Sequence, residues 1–194
     1  LGIGTLPIKG FVLSHRSNYN SIEGNTIANN SLYGIKVNGF ADYQSITGNM
    51  VIDNGGGIDI CDCSYNNIVG NIIANNSGHG IQIGGSWHGA SAQHGFSYNN
   101  SISENTIADN KGHGILLGYD YANSATNCSI NRNIIENNDC GIWVSSTTDN
   151  SIIENSIAYN GYGVWLYSSS NRNVVSGNTF MNDGLTVWDS YQNV

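Results

Sequence analysis

Apolar residues in this chain alternate with polar ones over short runs. Gly, Asn and Ser interrupt the runs, and no stretch holds the roughly 3.6-residue period of an amphipathic helix. The segment Asn20-Ser21-Ile22-Glu23-Gly24-Asn25-Thr26-Ile27 returns with small changes along the chain. Ile22 is matched by Ile46, Ile68, Ile102, Ile130, Ile152 and Val175, at spacings of 24, 22, 34, 28, 22 and 23 residues. Three positions on come Asn25, Asn49, Asn71, Asn105, Asn133, Asn155 and Asn178. Next come Ile27, Val51, Ile73, Ile107, Ile135, Ile157 and Phe180, then a second polar row from Asn30 through Asn54, Asn76, Asn110, Asn138 and Asn160 to Asp183. Each repeat closes on a Gly-apolar-x-apolar run, from Gly34-Ile35-Lys36-Val37 through Gly163-Val164-Trp165-Leu166 to Gly184-Leu185-Thr186-Val187.

A repeat of this kind predicts three short strands with period-2 alternation, separated by Gly/Asn turns. One repeat alone buries too few apolar side chains to offset the ordering of its backbone. Stacking must therefore supply both the ladder hydrogen bonds and a shared core. The expected fold is all-β: a single-stranded right-handed parallel β-helix of about seven coils, occupying residues 1–194 as one domain. Identical side chains then pile up ~4.8 Å apart. The Asn rows are structural on this reading, because Asn tolerates left-handed turns and its amide both donates and accepts.

Two insertions break the repeat. Gly84 to Tyr98 holds Trp87, His88 and His94, and Gly118 to Asn127 holds Tyr119, Asp120 and Tyr121. Both follow the Gly-Ile-x-Ile strand in consecutive coils, so they are expected to leave the same edge and wall that sheet. Loops on a rigid scaffold are where function collects. The outward row of the sheet is expected to be Lys36, Asp59, Gln82, Leu116, Trp143, Trp165 and Thr186, with Tyr167 and Trp188 in the next row. Exposed Trp calls for a covering partner. A glycan fits, since sugar rings stack on aromatic faces; an interface between copies of the chain is the alternative. At the turn before the sheet, Tyr33, His79, His113, Cys140 and Tyr162 fall in register. Stacked imidazoles depress each other's charging and are placed to share a proton or a metal. Catalytic candidates are His79, His113, Tyr119 and Tyr121. Candidates for substrate contact are Trp87, His88, His94, Asp120, Lys36, Asp59, Gln82, Trp143, Trp165, Tyr167 and Trp188.

The 194 residues carry a formal net charge of −8 with only six Lys and Arg. That leaves no basic footprint for nucleic acid and disfavours anionic lipid. No apolar run approaches the ~20 residues of a membrane span. The chain opens on Leu1 inside a coil and stops at what reads as the start of another. A segment of a longer protein, or a subunit associating end to end through uncapped coils, is expected. No cofactor is required; Asp59, Asp62 and Asp120 offer oxygen ligands for Ca²⁺ without forming a dedicated motif. Cys61, Cys63, Cys128 and Cys140 are open to two readings, free thiols or bonds to another chain.

The pattern Asn-x-Ile-x-x-Asn-x-Ile-x-x-Asn followed by Gly-Ile-x-Ile resembles the parallel β-helix repeat of the pectin-lyase-like superfamily. It is most similar to the carbohydrate-binding and sugar-hydrolase branch that includes the copper-accessory NosD-type proteins. The resemblance runs from about Gly10 to the end. It implies a secreted or cell-surface protein that binds polysaccharide. Lyase, hydrolase or uronan epimerase activity is one implied outcome, and a non-catalytic surface, sheath or filament role is the other. Gly78-His79-Gly80 is similar to a polygalacturonase segment. The paired aspartates of that family fall here at Gly55 and Gly56, and no Arg-Ile-Lys follows, so its mechanism is not expected. A copper site in the NosD sense has no ligand cluster behind it in the sequence.

Overall fold

A computed structural model describes residues 10–84, 96–118 and 125–189. Those residues form a right-handed parallel β-helix with no helical segment. An eight-stranded sheet runs through Phe11–Leu13, Tyr33–Asn38, Gly56–Cys61, Ile81–Gly84, Ile115–Leu117, Cys140–Ser145, Tyr162–Tyr167 and Leu185–Asp189. Two seven-stranded sheets, opening with Ser21–Glu23 and Thr26–Ala28, complete each coil. All pairings are parallel, and the isoleucine rows align as the repeat predicts: Ile22 with Ile46, Ile35 with Ile58, Ile107 with Ile135. These columns point inward and are almost wholly buried.

The coil turns at three corners, each marked by a column of left-handed residues, and the connection leaving the eight-stranded sheet holds further ones such as Phe40, Asp62, Ser146 and Ser168. At one corner the column is Gly24, Gly48, Gly70, Glu104, Arg132, Glu154 and Gly177; at the next Asn29, Asp53, Asn75, Asp109, Asn137, Tyr159 and Asn182; at the third Tyr19, Tyr43, Tyr65, Asn99, Asn127, Asp149 and Arg172. The bend turns the following side chain into the barrel, and that residue is a ladder Asn in every coil except at Gln44, Cys128 and Asp183.

Asn105 shows how the ladder closes. Its Oδ1 accepts both the backbone N–H of Asn71 at 2.9 Å and the Asn71 side-chain amide at 2.9 Å. Its Nδ2 donates to Ile68 O at 2.9 Å and to Asn133 Oδ1 at 3.0 Å. Both lone pairs and both protons are used, so a buried amide leaves no unsatisfied atom. A third ladder, not evident in the sequence, runs through Asn20, Gln44, Asn66, Asn100, Asn150 and Asn173. Gln44 and Cys128 interrupt its composition, which hides the row.

The glycines that open the Gly-Ile-x-Ile run are required by space. A Cβ on Gly80 would lie 2.7 Å from Ile107 Cγ2 and 2.6 Å from Gly114 O; on Gly114, 2.7 Å from Ile135 Cγ2 and 2.7 Å from Gly141 O. The corner packs too closely on the core to admit a side chain.

The last coil departs from the sequence register. Val187 pairs with Val164 and Trp188 with Trp165, so Trp188, not Thr186, continues the outward row. The ladder sets this: Asp183 accepts from Asn160 across 23 residues, and the strand keeps that offset.

Two substitutions test the ladder. Asn105→Ala strips partners from the Asn71 amide, Ile68 O and Asn133 Oδ1, and is expected to cost at least ~3 kcal/mol in urea unfolding. Asp183 cannot donate as the Asn residues above it do, and its Oδ2 is buried without a hydrogen-bond partner. Asp183→Asn is expected to raise stability by ~1 kcal/mol; a fall in the urea midpoint would contradict the ladder account.

Candidate functional site

The outer face of the eight-stranded sheet divides into a polar end, a middle and an aromatic end. At the polar end Lys36 and Asp59 occupy the same row one coil apart and meet at 2.5 Å. Burial works to lower the Lys36 ammonium, but the charge and hydrogen bond of Asp59 outweigh it and hold Lys36 protonated. Burial pushes the Asp59 carboxyl up, and Lys36 reverses only part of that. Gln82 follows in the row and accepts from the Tyr33 hydroxyl at 3.2 Å. Leu116, next along, is buried.

The middle is built by His79 and His113. Their rings stack with centroids 4.8 Å apart, as the coil spacing predicts. The His113 backbone N–H donates to His79 Nδ1 at 3.0 Å, which places the His79 proton on Nε2. Burial lowers the His79 imidazole, against a weaker opposing effect of Asp139. Burial first, and then the neighbouring His79, push His113 down to about 4. Both rings are neutral at pH 7. Asp139 Oδ2 stands 3.5 Å from His113 Nδ1, too far for a firm hydrogen bond.

At the aromatic end, Trp143 and Trp165 stack at 4.5 Å, and Trp165 and Trp188 at 4.4 Å. The corner position that continues His79 and His113 is Cys140, small and fully buried. There the Trp143 indole swings over and covers His113 at 4.3 Å. One stack therefore runs His79, His113, Trp143, Trp165, Trp188 through five consecutive coils. Sequence columns miss it because its rings come from two different rows. Its inner rings turn their faces on each other and present edges outward. Tyr167 stands apart, turned 65° to Trp143 and 88° to Trp165, and is 42% exposed.

The structure thus brings together His79 with His113, Lys36 with Asp59, and Trp143, Trp165 and Trp188 with Tyr167. Trp87, His88, His94, Tyr119, Asp120 and Tyr121 lie outside the described residues, and with them the proposed loop wall. All four cysteines are buried. Burial raises the thiols of Cys63 and Cys140 to about 12 and Cys128 to about 11.

Such a solenoid, with one sheet face lined by stacked rings and neutral imidazoles, belongs to a definite class: the repeat-built right-handed β-helix proteins. Within it, the family model of the periplasmic copper-binding protein NosD matches residues 8–93 and again 88–193, and the chain belongs to the NosD family. No curated protein matches it. Among solved structures it is similar to the periplasmic alginate epimerase AlgG, at 19% identity and TM-score 0.71, over 93% of this chain and 47% of that one. The A-module of mannuronan C-5 epimerase AlgE6 from Azotobacter vinelandii is similar at 14% identity and TM-score 0.62, over 91% and 62%. DFA-IIIase from Arthrobacter chlorophenolicus A6 is similar at 20% identity and TM-score 0.60, over 76% and 31%. At these identities the likeness is one of fold, and the chain spans about half the length of AlgG.

The family description raises copper. Among the described residues no three His, Cys, Asp or Glu side chains gather to hold a metal. His79 Nδ1 already accepts a hydrogen bond, the thiols of Cys63, Cys128 and Cys140 are buried and protonated, and Met50 and Met181 sit on strands separated by four others in their sheet. These residues do not fit copper. For Ca²⁺, Asp59 is engaged with Lys36 and Asp120 is not described.

The depressed His113 gives a pH signature. The unfolded chain takes up a proton near 6.5, the folded one only near 4. The contribution of His113 to stability is therefore complete above pH ~6.5 and lost as pH falls towards ~4. His113→Phe, which keeps the stack, is expected to flatten the stability profile between those values in urea titrations; an unchanged slope would exclude His113 as its source.

Proposed function

We propose that this chain binds a polysaccharide outside the cytoplasm, with the outer face of the eight-stranded sheet as the platform, and that the glycan is neutral. The observation that carries the reading is the aromatic end, where the exposed Tyr167 ring stands against the partly buried Trp143 and Trp165, beside neutral imidazoles on a rigid sheet. Aromatic rings with a few fixed polar groups are the usual furniture of a sugar site. Proteins of like fold include epimerases of alginate and mannuronan, and DFA-IIIase holds DFA-III. The NosD model is described as periplasmic, in keeping with a location beyond the inner membrane.

Charge decides between glycans. Lyase or epimerase chemistry needs a cation or strong donors at the uronate carboxylate. Lys36 is the sole Lys or Arg on this sheet, it is held by Asp59, and neither insertion contains a Lys or Arg. With a net charge of −8, a polyuronate would meet repulsion without a compensating site. Binding a neutral chain needs neither. In this reading His79 donates its Nε2–H to a sugar hydroxyl, and Tyr167, the ring outside the stack, supplies the stacking face.

The test is affinity electrophoresis in gels cast with a neutral glucomannan or with alginate. The wild-type chain should be retarded by glucomannan, and Tyr167→Ala should weaken retention at least tenfold with unchanged thermal unfolding, because that ring is exposed. Retention by alginate alone would sink the neutral-glycan reading, and full retention of Tyr167→Ala would remove the sheet face from consideration.

A further inference from the structure

A second feature lies around the corner, away from the stacked rings. At the turn that follows the eight-stranded sheet, a cleft of about 650 Å³ is lined by Phe96, Tyr98, Thr126, Ser146, Thr148, Ser169, Asn171 and Arg172. It crosses four successive coils. Tyr98 pairs with Thr126, and the backbone bonds of Asn127 to Thr148 and of Asp149 to Asn171 carry the same register onward. Tyr98, Thr126, Thr148 and Asn171 thus form one column of the cleft lining, a residue from each coil.

The aromatic end of this column is distinctive. Tyr19, Tyr43 and Tyr65 stack face to face at 4.8 Å, with interplanar angles of 10° and 4°. The next coil breaks the pattern. Asn99 takes the left-handed corner position, and Tyr98, one residue earlier, stands at 83° to Tyr65. Its ring leaves the stack and is 43% exposed, and Phe96 beside it is 50% exposed. Two exposed rings at the head of a hydroxyl and amide column differ from the closed stack on the sheet face, where ring faces are mutually covered.

The charge at the cleft is already neutralised. Arg172 donates to both Asp149 oxygens at 2.7 and 2.6 Å, so the described lining of the cleft holds no unpaired cation for an anionic ligand. The Thr148 hydroxyl donates to Asp149 at 2.9 Å, so its remaining capacity is to accept. Thr126 Oγ1 is buried without a hydrogen-bond partner, so the column offers the Thr148 hydroxyl oxygen and the Asn171 amide, on coils spaced ~4.8 Å apart. That rise is close to the length of one pyranose unit in an extended, equatorially linked chain. We propose that the cleft is a second binding site, for a neutral oligosaccharide laid along the solenoid axis. One sugar packs on Tyr98 and Phe96, the chain passes over Thr126, and the units beyond it meet Thr148 and Asn171. The cleft volume is in the range of small-molecule sites. This site shares no residue with the sheet face, so either can hold without the other.

The experiment is an amide and indole NMR titration of the whole chain with cellopentaose, mannopentaose and xylopentaose, and pentamannuronate as the charged control. At least one neutral pentasaccharide should shift the amides of Tyr98, Thr126, Thr148 and Asn171, while pentamannuronate leaves them in place. Tyr98→Ala and, separately, Phe96→Ala should weaken those shifts at least tenfold, with the remaining spectrum and the thermal midpoint unchanged. Tyr167→Ala should leave them intact. Shifts confined to the indoles of Trp143 and Trp165 would overturn the cleft site while leaving the sheet-face reading standing. Silence at both places with all three neutral sugars would overturn both. Equal response to pentamannuronate would overturn the neutral-ligand assignment.

Discussion

Everything in this molecule hangs on the side-chain amide that sits just inside each corner. A coil of short strands turns sharply three times, and every turn leaves backbone groups facing inward where water is absent. An Asn at that point satisfies the strand carbonyl of the coil before it, the backbone N–H of its counterpart, and both counterpart amides. The same geometry requires a left-handed residue immediately upstream, which favours the Gly, Asn and Asp that fill most positions of two of the three corners, although Glu104, Arg132, Glu154 and Tyr159 hold the same conformation there. Sheet register, isoleucine columns and the position of every outward side chain follow from this lattice.

The third corner uses Asn99, Asn127 and Asp149 in its later coils but tyrosine in its first three. Tyr19, Tyr43 and Tyr65 hold left-handed backbones although their side chains give no local relief, at a cost of order 1 kcal/mol each. Their mutual stacking offsets it. Where the stack ends, at Tyr98, small polar residues take over and the cleft opens. On the sheet face the ring column instead changes rows at Cys140 and continues. The two surfaces use one device, piling like on like, with opposite outcomes for what is left open to a ligand.

The fold was legible because its signal repeats. The Asn25 and Asn30 rows, the isoleucine columns and the corner glycines recur often enough to fix coil, register and inward face, and His79 above His113 followed directly. The rest was lost for physical reasons. The third ladder is interrupted by Gln44 and Cys128, so composition conceals a geometry that the backbone keeps. The sequence row puts Trp188 two residues out of register because Gly184 looks like the corner glycine, whereas Asp183 and its bond to Asn160 decide the offset. That the stack turns its faces inward could not be read at all. A row of Trp says that rings are adjacent, and only their tilt says whether a face remains. Six of the candidate residues sit in insertions to which the repeat does not apply.

One property of the amide lattice reaches beyond this chain. Every coil answers only to the coil on either side, so no central layer dictates the number of coils. Gene duplication or loss of a whole coil would rejoin equivalent surfaces, each Asn finding another Asn, and the rod could change length without redesign. A protein assembled in this way can change its reach by adding copies, and can vary outward positions singly while the interior stays the same.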